Sequence, residues 1–119
     1  MVLIIGGAYQ GKLSYAKTTY GIDTEEIFTC TAELSPDMSF RCIRHLEDYV
    51  LYCVRNGCEP DLKPRDDAIL ICRDISAGIV PVDAETRAWR EAVGRYLNRL
   101  AVQCSSVIRL FCGLPQILK

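Results

Sequence analysis

Seven residues near the N-terminus carry most of the chemical information in this sequence: Gly6-Gly7-Ala8-Tyr9-Gln10-Gly11-Lys12. They match G-x-x-x-x-G-K, directly after the apolar run Val2 to Ile5 and directly before a helix-forming stretch. Glycines let the chain turn until successive N–H groups point at one anion, and a helix N-terminus adds partial positive charge. Lys12 adds a full charge for terminal phosphates. The loop and its helical continuation, Gly6 through Ser14, therefore predict a phosphate-binding P-loop for a purine nucleotide, ATP or GTP. The next position of the motif usually supplies a Ser or Thr hydroxyl to Mg²⁺, but here it is Leu13, which cannot ligate a metal. Ser14 lies about 100° further round the helix. Nucleotide binding is thus better supported than phosphoryl transfer.

A second acidic group ordinarily ends a neighbouring strand and holds the hydration shell of the metal. Asp74, just past the apolar run Ala68 to Cys72, is the candidate, and with Lys12 it completes the catalytic pair read from the sequence. Asp66 and Asp67 precede that strand, at the end away from which ligands gather in parallel sheets. His45, the single histidine, falls on an expected Ser39 to Asn56 helix away from its apolar stripe of Ile43, Leu46, Val50, Cys53 and Val54. There it faces solvent and takes no catalytic role. Arg87, Arg90, Arg95 and Arg99 read as a solvated face of a later helix, and Trp89 as part of its core stripe.

The elements that must position the loop follow from periodicity. Val2 to Ile5 is a first strand, Lys12 to Tyr20 a helix stopped at Gly21, and Glu26 to Thr31 a second strand through Ile27, Phe28 and Thr29. Ser39 caps the second helix, and Gly57 ends it. A proline-bearing loop from Glu59 to Asp66 leads to the third strand, Ala68 to Cys72. After Pro81-Val82, Asp83 caps the longest helix, whose stripe is Ala88, Trp89, Ala92, Val93, Tyr96, Leu97, Leu100 and Ala101. Val107 to Phe111 is a fourth strand, and Gln116 to Leu118 offers an edge strand after the Gly113-Leu114-Pro115 turn. The expected fold is α/β and P-loop NTPase-like, a mainly parallel sheet of about four strands flanked by helices, in one domain spanning 1–119.

Composition narrows the partners. Fourteen basic residues against fifteen acidic ones leave a net charge of -1, with no long-range attraction to nucleic acid or an anionic membrane. The four apolar residues Val2 to Ile5 are too few for a signal peptide or a membrane span, so a cytoplasmic location is expected. The seven cysteines, Cys30, Cys42, Cys53, Cys58, Cys72, Cys104 and Cys112, are odd in number and lack C-x-x-C pairing. They read as small buried hydrophobes in a reducing compartment.

Two separated stretches together resemble one family. Leu3-Ile4-Ile5-Gly6-Gly7-Ala8 with Gly11-Lys12 is similar to the start of the bifunctional adenosylcobinamide kinase / adenosylcobinamide-phosphate guanylyltransferase of cobalamin biosynthesis. Gly78-Ile79-Val80-Pro81, Arg87, Arg90, Gly94, Asn98, Leu100-Ala101, Gly113-Leu114-Pro115 and Lys119 resemble its closing signature. The resemblance implies ATP or GTP as donor, phosphorylation of the aminopropanol hydroxyl of adenosylcobinamide, GMP transfer through a guanylylated histidine, and a homo-oligomer. Departures qualify it. Thr31-Ala32-Glu33 matches a stretch beyond the relatives' guanylylated histidine, so that segment is missing and guanylyl transfer is not expected. His45 does not inherit its role. Tyr9, Gln10 and Leu13 break the family loop, Asp74 replaces a usual Glu, and Arg73 a common Asn. A non-catalytic nucleotide-binding or assembly protein of the same fold is the alternative.

Overall fold

The computed structural model describes residues 1–75 and 83–119. In chain order the elements are β1 (Val2–Gly6), α1 (Lys12–Tyr20), β2 (Ile27–Thr29), β3 (Cys42–Arg44), α2 (Leu46–Asn56), β4 (Ile69–Arg73), α3 (Ala84–Gln103), β5 (Ser106–Phe111) and β6 (Leu114–Ile117). The six strands form one sheet in the order β2-β3-β4-β1-β5-β6. All neighbours pair parallel except β6, which runs antiparallel to β5. The protein is therefore α/β with a mostly parallel sheet and three helices. Among the described residues no helix is long and apolar enough to cross a membrane. The Gly78-Ile79-Val80-Pro81 segment and the Pro81-Val82 turn lie outside the described residues.

The sheet has six strands where about four were expected, and the main difference is β3. The apolar stripe assigned to a Ser39 to Asn56 helix begins instead as a strand: Cys42 and Ile43 are fully buried between β2 and β4, with Ile43 opposite Leu70. Ser39 caps no helix. Its N–H and hydroxyl both donate to Asp37 Oδ1, at 2.9 and 2.6 Å, closing a local turn. The backbone then swings at His45, which sits in the left-handed region with φ 58°, and α2 starts at Leu46. Three-and-four spacing had spanned a strand, a bend and a helix. The edge strand expected at Gln116 to Leu118 is β6, which begins earlier, at Leu114, because the turn is not Gly113-Leu114-Pro115 but Cys112 and Gly113, both at positive φ, as a two-residue hairpin turn requires.

Strand periodicity sends alternate residues to opposite faces. Leu3, Ile43, Leu70, Cys72 and Val107 point to the face covered by α2 and α3, where they pack with Leu46, Val50, Val93, Tyr96 and Leu100. Ile4, Cys42, Ile69, Ile71 and Leu110 point to the face covered by α1, whose Ala16 packs among them. Asp83 caps α3 by accepting the Thr86 N–H at 2.8 Å. Trp89 lies in the core stripe and donates its indole N–H to the Glu47 carbonyl at 2.7 Å, tying α3 to the first turn of α2. Five cysteines are buried, and Cys58 and Cys112 are exposed; all seven are free.

Candidate functional site

The loop between β1 and α1 is shaped by two backbone necessities. At Gly6 an added Cβ would lie 2.7 Å from the Leu110 carbonyl oxygen of β5, so only glycine allows β1 and β5 this approach. Gly11 has φ +83° and immediately precedes α1, where a left-handed residue redirects the chain into the helix. Tyr9 also adopts a positive φ, 60°. Among the described residues, no backbone hydrogen bond takes the N–H groups of Ala8 through Leu13 as donors, which leaves them available at the start of α1. Gln10 accepts the Cys112 N–H, which fastens the loop to the β5–β6 turn.

A cavity of about 420 Å³ opens beside this loop, within the size range of small-molecule sites. Residues 8 to 14 form one wall, and Arg44, His45, Glu47, Ile71 and Arg73 form the other. The two arginines arrive there by strand parity. Cys42 and Ile71 face α1, so Arg44 and Arg73, two residues further along β3 and β4, emerge on the same face at the strand ends. Lys12 folds over the loop and donates to the Gly7 carbonyl at 2.6 Å. Burial pushes its ammonium below the usual lysine range, while the Glu47 carboxylate pulls it back up.

Glu47 is the one buried charged side chain among the described residues, 3% exposed. Its Oε1 accepts the Arg73 N–H at 2.9 Å, an amide at the end of β4 where β3 no longer continues beside it. Its Oε2 meets His45 Nδ1 at 2.8 Å. The other ring nitrogen, Nε2, lies 3.1 Å from an Arg44 guanidinium nitrogen. Arginine only donates, so Nε2 accepts, and the ring proton rests on Nδ1 facing the carboxylate. Arg44, His45 and Glu47 thus form a connected row along one side of the cavity.

Ligand atoms of His45, Glu47 and Asp48 lie within 4.8 Å of one another, close enough to surround a cation. The electrostatics oppose that use. The three residues sit at the N-terminus of α2, beside Lys12, Arg44 and Arg73, and both Glu47 oxygens already accept N–H donors. Burial, with Glu47 second, raises the Asp48 carboxyl above the usual carboxylate range. The assembled charge favours an anion.

Of the residues expected at the site, Ala8 through Ser14 line the cavity, with Gly6 and Gly7 beneath the loop. Asp74 is not brought there. It follows Cys72 in parity and lines a groove on the α3 side with Leu3, Gly94 and Asn98, while its N–H donates to the Gly6 carbonyl at 2.8 Å. Leu13 packs with the core under α1. The residues present do not fit direct magnesium ligation by a hydroxyl at position 13 or a carboxylate from Asp74. His45, expected in solvent on the flank of a helix, is the bend residue between β3 and α2 and lines the cavity instead. Of the α3 arginines, Arg95 and Arg99 line grooves away from the cavity, and Arg99 stacks over Tyr96 at 5.5 Å and donates to the Pro60 carbonyl.

Glu47, Arg44 and Arg73 were not anticipated. Glu47 had one legible signal: positions 43, 46, 47 and 50 share a helical face, so a carboxylate stood inside an apolar stripe. Buried thiols offer no competing nucleophile in this region, since burial pushes Cys42 up to about 11 and Cys72 well above its ordinary value. No family model matches the chain, and no curated protein matches it.

Proposed function

We propose that this protein is a P-loop nucleotide-binding domain, similar to adenosylcobinamide kinases, that holds the phosphates of ATP or GTP between residues 6–14 and the Arg44–Arg73 wall. The observation that carries the reading is that Lys12, Arg44 and Arg73 line one cavity of about 420 Å³ together with a loop whose amides have no backbone partner among the described residues. Three cations and a helix N-terminus against one buried carboxylate leave an excess of positive charge that a polyphosphate neutralises. Magnesium enters with the nucleotide as its own counterion. The acceptor proposed from the family resemblance is the aminopropanol hydroxyl of adenosylcobinamide.

Leu13 favours a second reading, in which the chain binds nucleotide without transferring phosphate and acts as an assembly or regulatory subunit. Calorimetric titration with ATP and GTP, with and without magnesium, tests the shared claim. Micromolar binding that Lys12→Ala weakens by about 100-fold, roughly the loss of a charge-assisted contact, is expected. Unchanged affinity in that variant would remove the P-loop reading. Incubation with γ-labelled nucleotide and adenosylcobinamide then separates the two readings: labelled product supports the kinase, and its absence supports the binding subunit.

A further inference from the structure

The His45 ring is held from both sides. Glu47, itself buried and anchored by the Arg73 amide, fixes the Nδ1 proton, and Arg44 occupies the Nε2 lone pair. A carboxylate that orients an imidazole lining a ligand cavity, its far nitrogen against an arginine of the same lining, is the base-and-orienter arrangement of acid–base catalysis. We propose that His45 is the base of a phosphoryl-transfer step in this cavity, with Arg44 covering its Nε2 until bound phosphates draw the guanidinium away. This rests on the nucleotide reading above.

The physical ground for the uncovering is a difference in strength. An arginine–imidazole contact is a single hydrogen bond to a neutral acceptor, whereas arginine and phosphate form a charge-assisted, two-pronged pair. In the transfer, the acceptor hydroxyl oxygen bonds to the γ-phosphorus as the bridge to the β-phosphate breaks. The nucleoside diphosphate leaves with that electron pair, and the hydroxyl proton passes to Nε2. The resulting imidazolium faces the Glu47 carboxylate and loses its proton to solvent through the exposed edge of the ring, whose side chain is 40% exposed. Water in place of the alcohol gives hydrolysis by the same balance. The charged groups around the ring are Arg44 from β3, Glu47 and Asp48 from α2, and, in the same cavity, Lys12 from α1 and Arg73 from β4.

The test measures hydrolysis of γ-labelled ATP and GTP with magnesium from about pH 5 to about pH 9, beside calorimetric affinity for each protein. Expected are an acid limb in the wild-type profile, its disappearance in His45→Asn with a loss of about 100-fold or more in kcat, and partial recovery of His45→Ala by added imidazole. Glu47→Gln, in the positioning residue, should lower kcat at least about 10-fold with a smaller change in KM, because its single amide oxygen can serve only one of the His45 Nδ1–H and Arg73 N–H donors and carries no charge to balance the imidazolium. Several results would overturn the proposal: a His45→Asn rate close to wild type, a profile without an acid limb, or a phosphoryl or nucleotidyl group covalently on His45. Nucleotide binding without any turnover would also overturn it while leaving the binding reading intact. Absence of calorimetric binding in the wild type removes both.

Discussion

The two faces of the sheet are covered unequally. Under α2 and α3, Leu3, Ile43, Leu70 and Cys72 meet two long helices that also pack on each other, with Tyr49 and Tyr96 edge to face at 6.1 Å. Under α1 there is one nine-residue helix whose only buried residue is Ala16. Its first turn starts at the carboxyl ends of the strands and its last residue, Tyr20, accepts from Arg41 just before β3, so Arg44 and Arg73 emerge beside the N-terminus of α1 and not beneath the helix. The difference teaches that the candidate site is the unfilled remainder of one layer. Stability is concentrated on one face, and the charged cavity occupies the other.

Adjacent residues of β4 provide the sharpest contrast. Leu70 is wholly buried under α2 and α3, whereas Ile71, next along the strand, is buried toward α1 and lines the cavity. Leu70→Ala should cost about 4 kcal/mol and Ile71→Ala about 2 kcal/mol, because a solvated cavity can refill the second site with water and the dry core cannot refill the first. Equilibrium urea denaturation of the two variants reads the difference. Equal losses would mean that the two faces are packed alike.

Glycines at the root of the loop come next in size. Gly6→Ala forces a methyl group against the Leu110 carbonyl and should cost about 2 kcal/mol, opening β1 from β5 at the base of the site. Its neighbour is a built-in control. A Cβ at Gly7 would meet only the Gln10 side chain at 3.7 Å, so Gly7→Ala should leave stability nearly unchanged. If Gly6→Ala melted with wild type, the close approach of β1 and β5 at this point would not be a constraint.

Lys12 tests whether the cavity face gives up stability for its charge. Burial lowers its pKa, so in the absence of ligand the charged form is disfavoured inside the fold, and the penalty is present at neutral pH and relieved as pH rises toward the ordinary lysine range. Lys12→Met should therefore raise the Tm of the ligand-free protein slightly while weakening nucleotide binding by about 100-fold. Thermal melts with and without ATP check both halves. A lower ligand-free Tm would show that the bond to the Gly7 carbonyl outweighs the cost of burying the ammonium.

The same asymmetry explains what was legible in the sequence. On the well-covered side, α3 declared itself through a long amphipathic stripe and Asp83 at its start, and β1, β4 and β5 through continuous apolar runs. Around the cavity the signals were short and mixed. β3 is three residues long, and Ile43 continues the helical spacing of Leu46 and Val50 by coincidence of register, so the strand was hidden inside a helix pattern. The left-handed bend at His45 has no glycine to announce it. Asp74 had the right distance along the chain from the loop, but strand parity turns it with Leu70 and Cys72 toward α3, while the acid that does reach the cavity comes from the next element over. Sequence spacing conveys proximity along a strand; it does not say which side of the sheet a residue will occupy when the neighbouring strand is unrecognised.

The smallest expected effect lies at the start of α3, on the well-covered side and away from the cavity. The Thr86 hydroxyl and N–H both hydrogen bond to the Asp83 carboxylate and hold its pKa below the ordinary aspartate value. A depressed carboxylate contributes stability that is fully present above its unfolded pKa, near about 4, and is lost as pH falls through the folded value. Asp83→Asn keeps an acceptor at the cap without the titration, so its Tm should stay close to wild type at neutral pH and fall less steeply below about pH 4. Asp83→Ala should lower Tm by a few degrees at neutral pH, with nucleotide affinity unaltered, since the cap and the cavity share no residue. Circular-dichroism melts across that range, paired with calorimetry, measure both. A change in affinity on removing this cap would mean that the two faces are coupled through α3 and the indole bond from Trp89 to Glu47, and that the separation of stability from site is incomplete.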